Sequence, residues 1–166
     1  MSHAKNKLRW CLNKAQKELE KGHKHRGIVR TEPSLTRAKE HMTKAEHNLK
    51  ATLYLNKGGF TDWCSISLFY TIYHCFLSIL LKEGFESRNQ ECTFSLIESL
   101  IDDKKINLNK EDIQKVALIN AHETTAISLR EKYQYNTKTT LENGEYADLL
   151  NTAKKILDKT KVIMEE

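Results

Sequence analysis

The sequence predicts an all-α fold, an up-and-down helical bundle of four to five core helices with an N-terminal helical extension, and three observations lead to this prediction. Apolar residues recur at helical spacing through most of the 166 residues. No stretch alternates strictly between apolar and polar side chains, as a half-buried strand does. The one proline and most of the six glycines fall where the helical periodicity breaks, which predicts short connections between antiparallel helices.

Helix-breaking and capping residues set the expected boundaries of the first elements. A basic loop and a turn at Pro33 follow the first helix, and Ser34 or Thr36 can cap the second. The pair Gly58-Gly59 ends that second helix. Six helices are predicted in all, at about 5–21, 35–57, 62–82, 92–101, 110–135 and 145–164.

The third predicted helix is expected at the centre of the bundle. Apolar and aromatic side chains between Trp63 and Leu81 cover most of its circumference, and a helix that is apolar nearly all round belongs in a core. Thr61 and Asp62 are expected to cap it, and Gly84 ends it. Its serines, threonines and tyrosines make it too polar to span a bilayer.

The later helices are predicted from the same periodicity. A shorter helix precedes a polar loop, and one continuous helix at 110–135 then carries Ile113, Val116 and Ile127 at helical spacing. The final helix is amphipathic, with Leu149 and Ile156 on its apolar side.

Length and charge indicate one domain with a basic end. At about 150 residues per domain, the chain is expected to be a single domain, with a basic N-terminal helix and loop extension at 1–34 and the bundle at 35–166. Residues 1–50 hold 13 Lys and Arg against 5 Glu, whereas residues 51–166 hold 14 against 17 acidic residues. This asymmetry favours a polyanion or an acidic partner; the alternative is a lysine-rich, solvated helix face.

The cysteines and the termini indicate a reduced, cytoplasmic protein. Cys11, Cys64, Cys75 and Cys92 lack the spacing of a zinc site, so they are expected to be small buried hydrophobic residues and no metal is expected. The N-terminus lacks the apolar run of a secretory signal, and no membrane association is expected.

Chemistry is expected mainly around Arg130. A guanidinium is permanently charged and binds phosphate with two parallel hydrogen bonds, and Tyr133 and Tyr135 offer stacking or a phenolic proton. The alternative is a helix-end arginine with two core tyrosines. His74 and Cys75 are neighbours on a helix and point about 100° apart, so they cannot form a catalytic pair, and His74 is expected to be a satisfied core histidine.

A resemblance to a known family rests on an ordered set of motifs. The run FTDWCSISLFYTIYHCFLSILLKEGF at 60–85 resembles the tyrosine-rich core helix of HEPN domains, with its Tyr-His pair and terminal glycine. Residues 91–97 resemble the short helix that follows, 38–53 resemble the first core helix, and Trp10-Cys-Leu with Gly27-Ile-Val resemble the N-terminal arm. Arg130 falls where the family carries its signature arginine.

The resemblance implies a dimeric bundle of four to five helices that needs no cofactor. Many members are metal-independent endoribonucleases of toxin–antitoxin and related systems, and small members pair with a minimal nucleotidyltransferase. Their motif is Arg, four to six residues, then His, contributed by both subunits to one cleft. There the ribose 2′-OH attacks the phosphodiester, arginine stabilises the developing charge, and histidine moves a proton.

The sequence departs from that motif at the histidine. The residue five positions after Arg130 is Tyr135, and no histidine follows His122. His122 precedes Arg130 by eight positions, roughly 80° around a helix, so it is the less favoured candidate. A free tyrosine titrates near pH 10, which makes it a poor base at neutral pH.

Two hypotheses follow. In the first, the chain cleaves or binds RNA, with Arg130 as phosphate ligand, Tyr133 and Tyr135 as stacking or proton-relay groups, and contacts to the RNA backbone from Lys24, Arg26 and Arg30. In the second, it is a non-catalytic dimeric scaffold that binds a nucleotidyltransferase or a nucleotide, and the two tyrosines are candidates for adenylylation.

Overall fold

A computed structural model describes residues 3–116 and 125–166. This part of the chain contains seven helices and one two-stranded antiparallel ribbon. The all-α prediction is therefore confirmed. The elements are α1 (His3–Glu20), β1 (Ile28–Arg30), α2 (Leu35–Lys57), α3 (Thr61–Lys82), β2 (Phe85–Ser87), α4 (Gln90–Asp102), α5 (Lys110–Gln114), α6 (Ala126–Tyr135) and α7 (Asn143–Glu165).

Local capping explains where α2 and α3 begin. Ser34 caps α2 as predicted, because its hydroxyl accepts a hydrogen bond from the backbone N–H of Arg37 at 3.3 Å. The predicted cap of α3 is wrong. Its N-cap is Phe60, which makes no side-chain cap bond, and the Thr61 hydroxyl instead accepts a hydrogen bond from the backbone N–H of Leu141 at 3.0 Å.

The core is built around α3, which packs against α2, α4, α6 and α7. Leu68, Phe69, Ile72 and Phe76 are fully buried on this helix. By length and composition α3 could cross a membrane, contrary to the prediction that it is too polar, but 67% of its most apolar window is buried inside the bundle. Such burial is typical of the core helix of a soluble protein.

The ribbon joins the N-terminal segment to the end of α3. Ile28 pairs with Ser87, and Arg30 pairs with Phe85. Gly84 makes the sharp turn into β2 with φ of +78°, a left-handed conformation that favours glycine. Each strand has three residues, too few for a period-two pattern, so neither strand was predictable from the sequence.

A disulfide corrects the prediction that all cysteines are reduced. Cys11 on α1 and Cys92 on α4 are bonded, with Cα atoms 5.9 Å apart, because α1 packs directly on α4. Cys64 and Cys75 are free and buried as predicted. Burial raises the pKa of the Cys64 thiol to about 11 and that of Cys75 to about 12, so both stay protonated at neutral pH.

The helix predicted at 110–135 is not continuous. α5 ends at Gln114, and the backbone N–H of Ala126 then donates to the carbonyl of Lys115 at 3.1 Å. The chain has therefore returned to Lys115 before α6 begins. Reciprocal hydrogen bonds between Thr125 and Ser128 cap the new helix. Residues 117–124, which include His122, lie outside the described residues.

α7 closes the bundle and neutralises the one buried carboxylate of α5. Asp112 accepts hydrogen bonds from Lys155 at 2.6 Å and from Lys159 at 2.8 Å. Burial raises the pKa of Asp112, but the two lysines outweigh it and leave that pKa lowered. The buried group is therefore a paired carboxylate.

Candidate functional site

Arg130 lies on α6, where that helix packs against α3. The residue is only 8% exposed, and its guanidinium carbon lies 4.9 Å from the centroid of the Phe69 ring. This is a cation–π contact, and it is strengthened where water is excluded. The ring therefore fixes the position of the guanidinium.

The hydrogen bonds of Arg130 are incomplete. Nη2 donates to the Glu131 carboxylate at 3.2 Å, but Glu131 is more than half exposed, so this ion pair contributes little. Nε is buried and has no hydrogen-bond partner in the part of the chain that the structure describes. A buried donor without an acceptor is costly, so the site is electrostatically prepared for an anionic or carbonyl oxygen.

Tyr133 is buried and already engaged. Its hydroxyl donates to one oxygen of Glu145 at 2.7 Å, and Lys132 donates to the other at 2.9 Å. Burial, and then the Glu145 contact, raise the pKa of Tyr133. The phenol therefore keeps its proton at neutral pH, and its contact with Glu145 holds α6 to the beginning of α7.

Tyr135, predicted to act beside Tyr133, lies in a different environment. It is the last residue of α6, and it is 77% exposed. The structure therefore gives Arg130 and Tyr133 buried positions on α6, whereas the Tyr135 hydroxyl is open to solvent.

One side of α3 near Arg130 is only partly covered by the residues that the structure describes, and we call it the open face. It consists of Trp63, Ile66, Tyr70, Tyr73 and Leu77, which recur at helical spacing and are exposed or half-buried. Phe69 borders this face, because its ring stacks on Tyr73 with centroids 5.9 Å apart and meets Tyr70 edge-on at 5.3 Å. Arg130 therefore lies beside an aromatic surface.

His74 is half-buried and bonded to a second histidine. Its Nδ1 lies 2.8 Å from Nδ1 of His41 on α2, so one ring donates and the other accepts. Burial, then His41 and Lys44, lower the pKa of His74 to about 4, and burial lowers that of His41. Both rings are neutral at pH 7 and satisfy each other.

The three basic residues predicted to bind RNA lie on other elements. Lys24 is exposed, Arg26 forms an ion pair with Glu18 at 3.1 Å, and Arg30 lies over the Phe85 ring at 5.2 Å. α1 and β1 pack against α4 and β2, whereas α6 packs against α3. The three basic residues therefore lie in a different part of the bundle from Arg130 and the two tyrosines of α6.

Sequence reasoning missed Phe69 and Glu145 as partners of the site. Phe69 precedes Arg130 by 61 positions, and the only local signal was that it belongs to an apolar helix. Glu145 lies in the first turn of α7, where an acidic residue is ordinary, so nothing marked it as the partner of Tyr133 and Lys132.

A large cavity lies away from Arg130. Its volume is about 580 Å³, and it opens between α5, α6 and α7. Two of its carboxylates, Asp112 and Glu145, are already paired with lysines. Among the described residues, no group of three or more His, Cys, Asp or Glu side chains could hold a metal ion.

Comparison with known proteins gives one finding. The family model described as the HEPN domain matches residues 38–163, well over half of the chain, and the matched span includes α3, α6 and most of α7. No curated protein matches the chain.

Proposed function

This chain belongs to the HEPN domain family, and from that premise we propose that it binds RNA, with Arg130 as the ligand of a backbone phosphate. HEPN domains are generally ribonucleases or nucleotide-binding domains. The observation that carries the proposal is the buried Nε of Arg130, which lacks a hydrogen-bond partner among the described residues. A phosphate oxygen supplies the acceptor, and the fixed charge of the guanidinium supplies the attraction.

Binding is better supported than cleavage. Cleavage by the ribose 2′-OH needs a group that accepts a proton near neutral pH. The Tyr133 hydroxyl donates to Glu145 and has a raised pKa, and no histidine follows His122 in the sequence. We therefore expect RNA binding with little or no cleavage. A toxin-like endoribonuclease is the second candidate, favoured by the family.

Dimerisation is part of the proposal. Trp63 is 56% exposed on a helix whose other faces form the core, and it continues into Ile66 and Tyr70 on the open face. Trp63 is exposed, whereas Ile66 and Tyr70 beside it are only partly exposed, and we take this part of α3 as the interaction site. Because Phe69 borders Tyr70, a second copy that covers this half of α3 brings two Arg130 side chains near one shared cleft.

Tyr135 supports a nucleotidyltransferase partner as a further candidate. Its hydroxyl is open to solvent close in sequence to Arg130, whereas the Tyr133 hydroxyl is buried and bonded. Tyr135 is therefore the better acceptor for adenylylation. Lys24, Arg26 and Arg30, which lie on other elements than Arg130, are candidates for a separate contact with a polyanion.

The test is RNA binding and cleavage by the full chain. Arg130→Met keeps the length of the side chain and removes its charge, and Lys154→Met on the exposed side of α7 is the matched loss of charge. We expect Arg130→Met to weaken binding of single-stranded RNA about tenfold, with the control unchanged. Equal binding by both variants contradicts the proposal, and RNA cleavage that Arg130→Met abolishes favours the endoribonuclease instead.

A further inference from the structure

A basic groove lies at the C-terminal end of α3, where the open face ends at Leu77. Its volume is about 250 Å³, and it is formed by the beginning of α2, the end of α3 and the ribbon. The lining residues are Arg37, His41, Leu77, Leu81, Glu86, Ser87 and Arg88.

One carboxylate orients two guanidinium groups in this groove. Arg37 Nη2 donates to one oxygen of Glu86 at 2.8 Å, and Arg88 Nε and Nη2 reach the other oxygen, each at 2.9 Å. Arg37, then Arg88, lower the pKa of Glu86 despite its burial, so the carboxylate stays ionised. The three groups together carry a net charge of +1.

Both arginines keep hydrogen-bonding capacity for a ligand. A guanidinium has five N–H donors, and the contacts with Glu86 use only some of them. The two side chains are each about half exposed. Because Glu86 holds them in place, little side-chain freedom remains to be lost when an anion binds.

A buried histidine that does not line the groove lies close to Glu86. His25 is only 5% exposed, and its Nε2 lies 3.4 Å from the Glu86 carboxylate. Neither ring nitrogen of His25 has a hydrogen-bond partner in the described part of the chain. The arrangement is a polar cluster that the packing of the bundle alone leaves unsatisfied.

We propose that this groove binds a phosphate group of the RNA strand whose other phosphate meets Arg130; this rests on the proposed function. Leu77 lies seven positions from Tyr70 and therefore on the same side of α3. From Phe69 to Leu77 and Leu81 the helix rises roughly 12–18 Å and turns by roughly 80–120°. A stacked strand rises about 3.4 Å per nucleotide, so the rise along α3 alone corresponds to about four or five nucleotides, and the strand must also curve around the helix.

The test compares a labelled single-stranded RNA of ten nucleotides with a dinucleotide and with AMP. The variants are Arg37→Gln and Arg88→Gln, singly and together, and Lys154→Gln is the matched control for the loss of one charge in each single variant. Circular dichroism and thermal unfolding establish whether each variant folds. If the double variant does not fold, Arg88→Lys replaces it, because lysine keeps the charge but not the planar set of donors.

We expect the double variant to lose about tenfold in affinity for the ten-nucleotide RNA and to bind the dinucleotide like the unmodified chain. If Arg130→Met weakens binding and the groove variants do not, the groove proposal fails and the proposed function stands. If only the groove variants weaken binding, the groove binds the RNA, but the role of Arg130 fails and with it the proposal that one strand joins the two sites.

Two further outcomes also decide against the RNA strand as the ligand. Binding of AMP as tight as that of the ten-nucleotide RNA, and lost in the double variant, identifies a free nucleotide instead. Competition by polyglutamate as effective as that by RNA of equal charge identifies an acidic protein instead. Either result overturns the proposal.

Discussion

At Arg130 a permanently charged group is held against an aromatic ring, with one of its nitrogens buried and unbonded in the described structure. The guanidinium lies over the Phe69 ring, which fixes its position. Glu131, which is about half exposed, holds it only weakly. Arg130 is only 8% exposed, and its Nε, unbonded among the described residues, is the physical basis for treating it as the centre of the site.

The role of Phe69 can be separated from its contribution to the core. Phe69→Leu is expected to lower the free energy of unfolding by about 1–2 kcal/mol and to weaken RNA binding, because the guanidinium loses its ring. Phe76→Leu is the matched control, since Phe76 is equally buried but has no arginine over its ring among the described residues. Urea unfolding and RNA titration of both variants test this. Equal RNA affinities in the two variants contradict it.

Tyr133 is expected to stabilise the fold rather than to transfer a proton. Tyr133→Phe removes the hydrogen bond to Glu145 and is expected to cost about 1–2 kcal/mol without changing RNA affinity by more than about twofold. If the folded variant binds RNA as weakly as Arg130→Met does, this interpretation is wrong.

The same pair predicts a pH dependence of stability. Burial raises the pKa of Glu145, but Lys132 and Tyr133 outweigh it and leave that pKa below its ordinary value of 4.5. As the pH falls below about 4.5, the unfolded chain takes up a proton first, so stability decreases. Urea unfolding between pH 6 and pH 3 should show that the free energy of unfolding decreases less in Tyr133→Phe than in the unmodified chain. An identical decrease in both proteins contradicts the assignment.

Sequence reasoning could identify Arg130 because its charge and position are local properties. It could not place Phe69 beneath it or Glu145 beside Tyr133, because those contacts depend on how separate helices pack. The groove between Arg37 and Arg88 was missed for the same reason: the packing of α2 on α3 and the turn from α3 into β2 bring the two residues together.

At the scale of elements, the boundaries that depend on local chemistry were predictable. α2 was predicted with its observed ends because Ser34 caps it and glycines end it. The break between α5 and α6 was missed because apolar spacing continues across 110–135, and the hydrogen bonds that return the chain to Lys115 have no local signal. The three-residue strands depend on pairing between distant segments.

The disulfide gives a prediction for α1. It closes a loop of 81 residues, so its reduction is expected to lower the free energy of unfolding by about 2–4 kcal/mol. Unfolding curves with and without reductant measure this, and Cys11→Ser, which cannot form the bond, should be insensitive to reductant. Thiol titration of the unfolded, unreduced chain should give two thiols. Four thiols there would contradict the pairing.

At the scale of the whole molecule, the open face predicts a dimer. Light scattering is expected to give twice 19.3 kDa. Trp63→Glu places a charge on the open face and should give a monomer, whereas Tyr54→Glu changes an exposed aromatic residue of α2 and should leave the dimer intact. An unmodified chain that is monomeric at micromolar concentration contradicts the shared cleft.

The whole molecule also carries two basic regions, the N-terminal third and the groove beside the ribbon, in addition to Arg130. Each of them is expected to attract a polyanion, so a loss of affinity alone does not show that Arg130 meets a phosphate. A change in the number of neutralised phosphates when Arg130 is replaced does show this contact, because each neutralised phosphate releases counterions from the strand.

The most direct measurement is therefore the salt dependence of RNA binding by the unmodified chain and by Arg130→Met. A plot of the logarithm of the binding constant against the logarithm of salt concentration falls by about 0.7 for each phosphate of a single strand that is neutralised. We expect Arg130→Met to flatten this slope by about 0.7 per chain, with Lys154→Met unchanged. Identical slopes for the unmodified chain and for Arg130→Met would contradict a phosphate at Arg130.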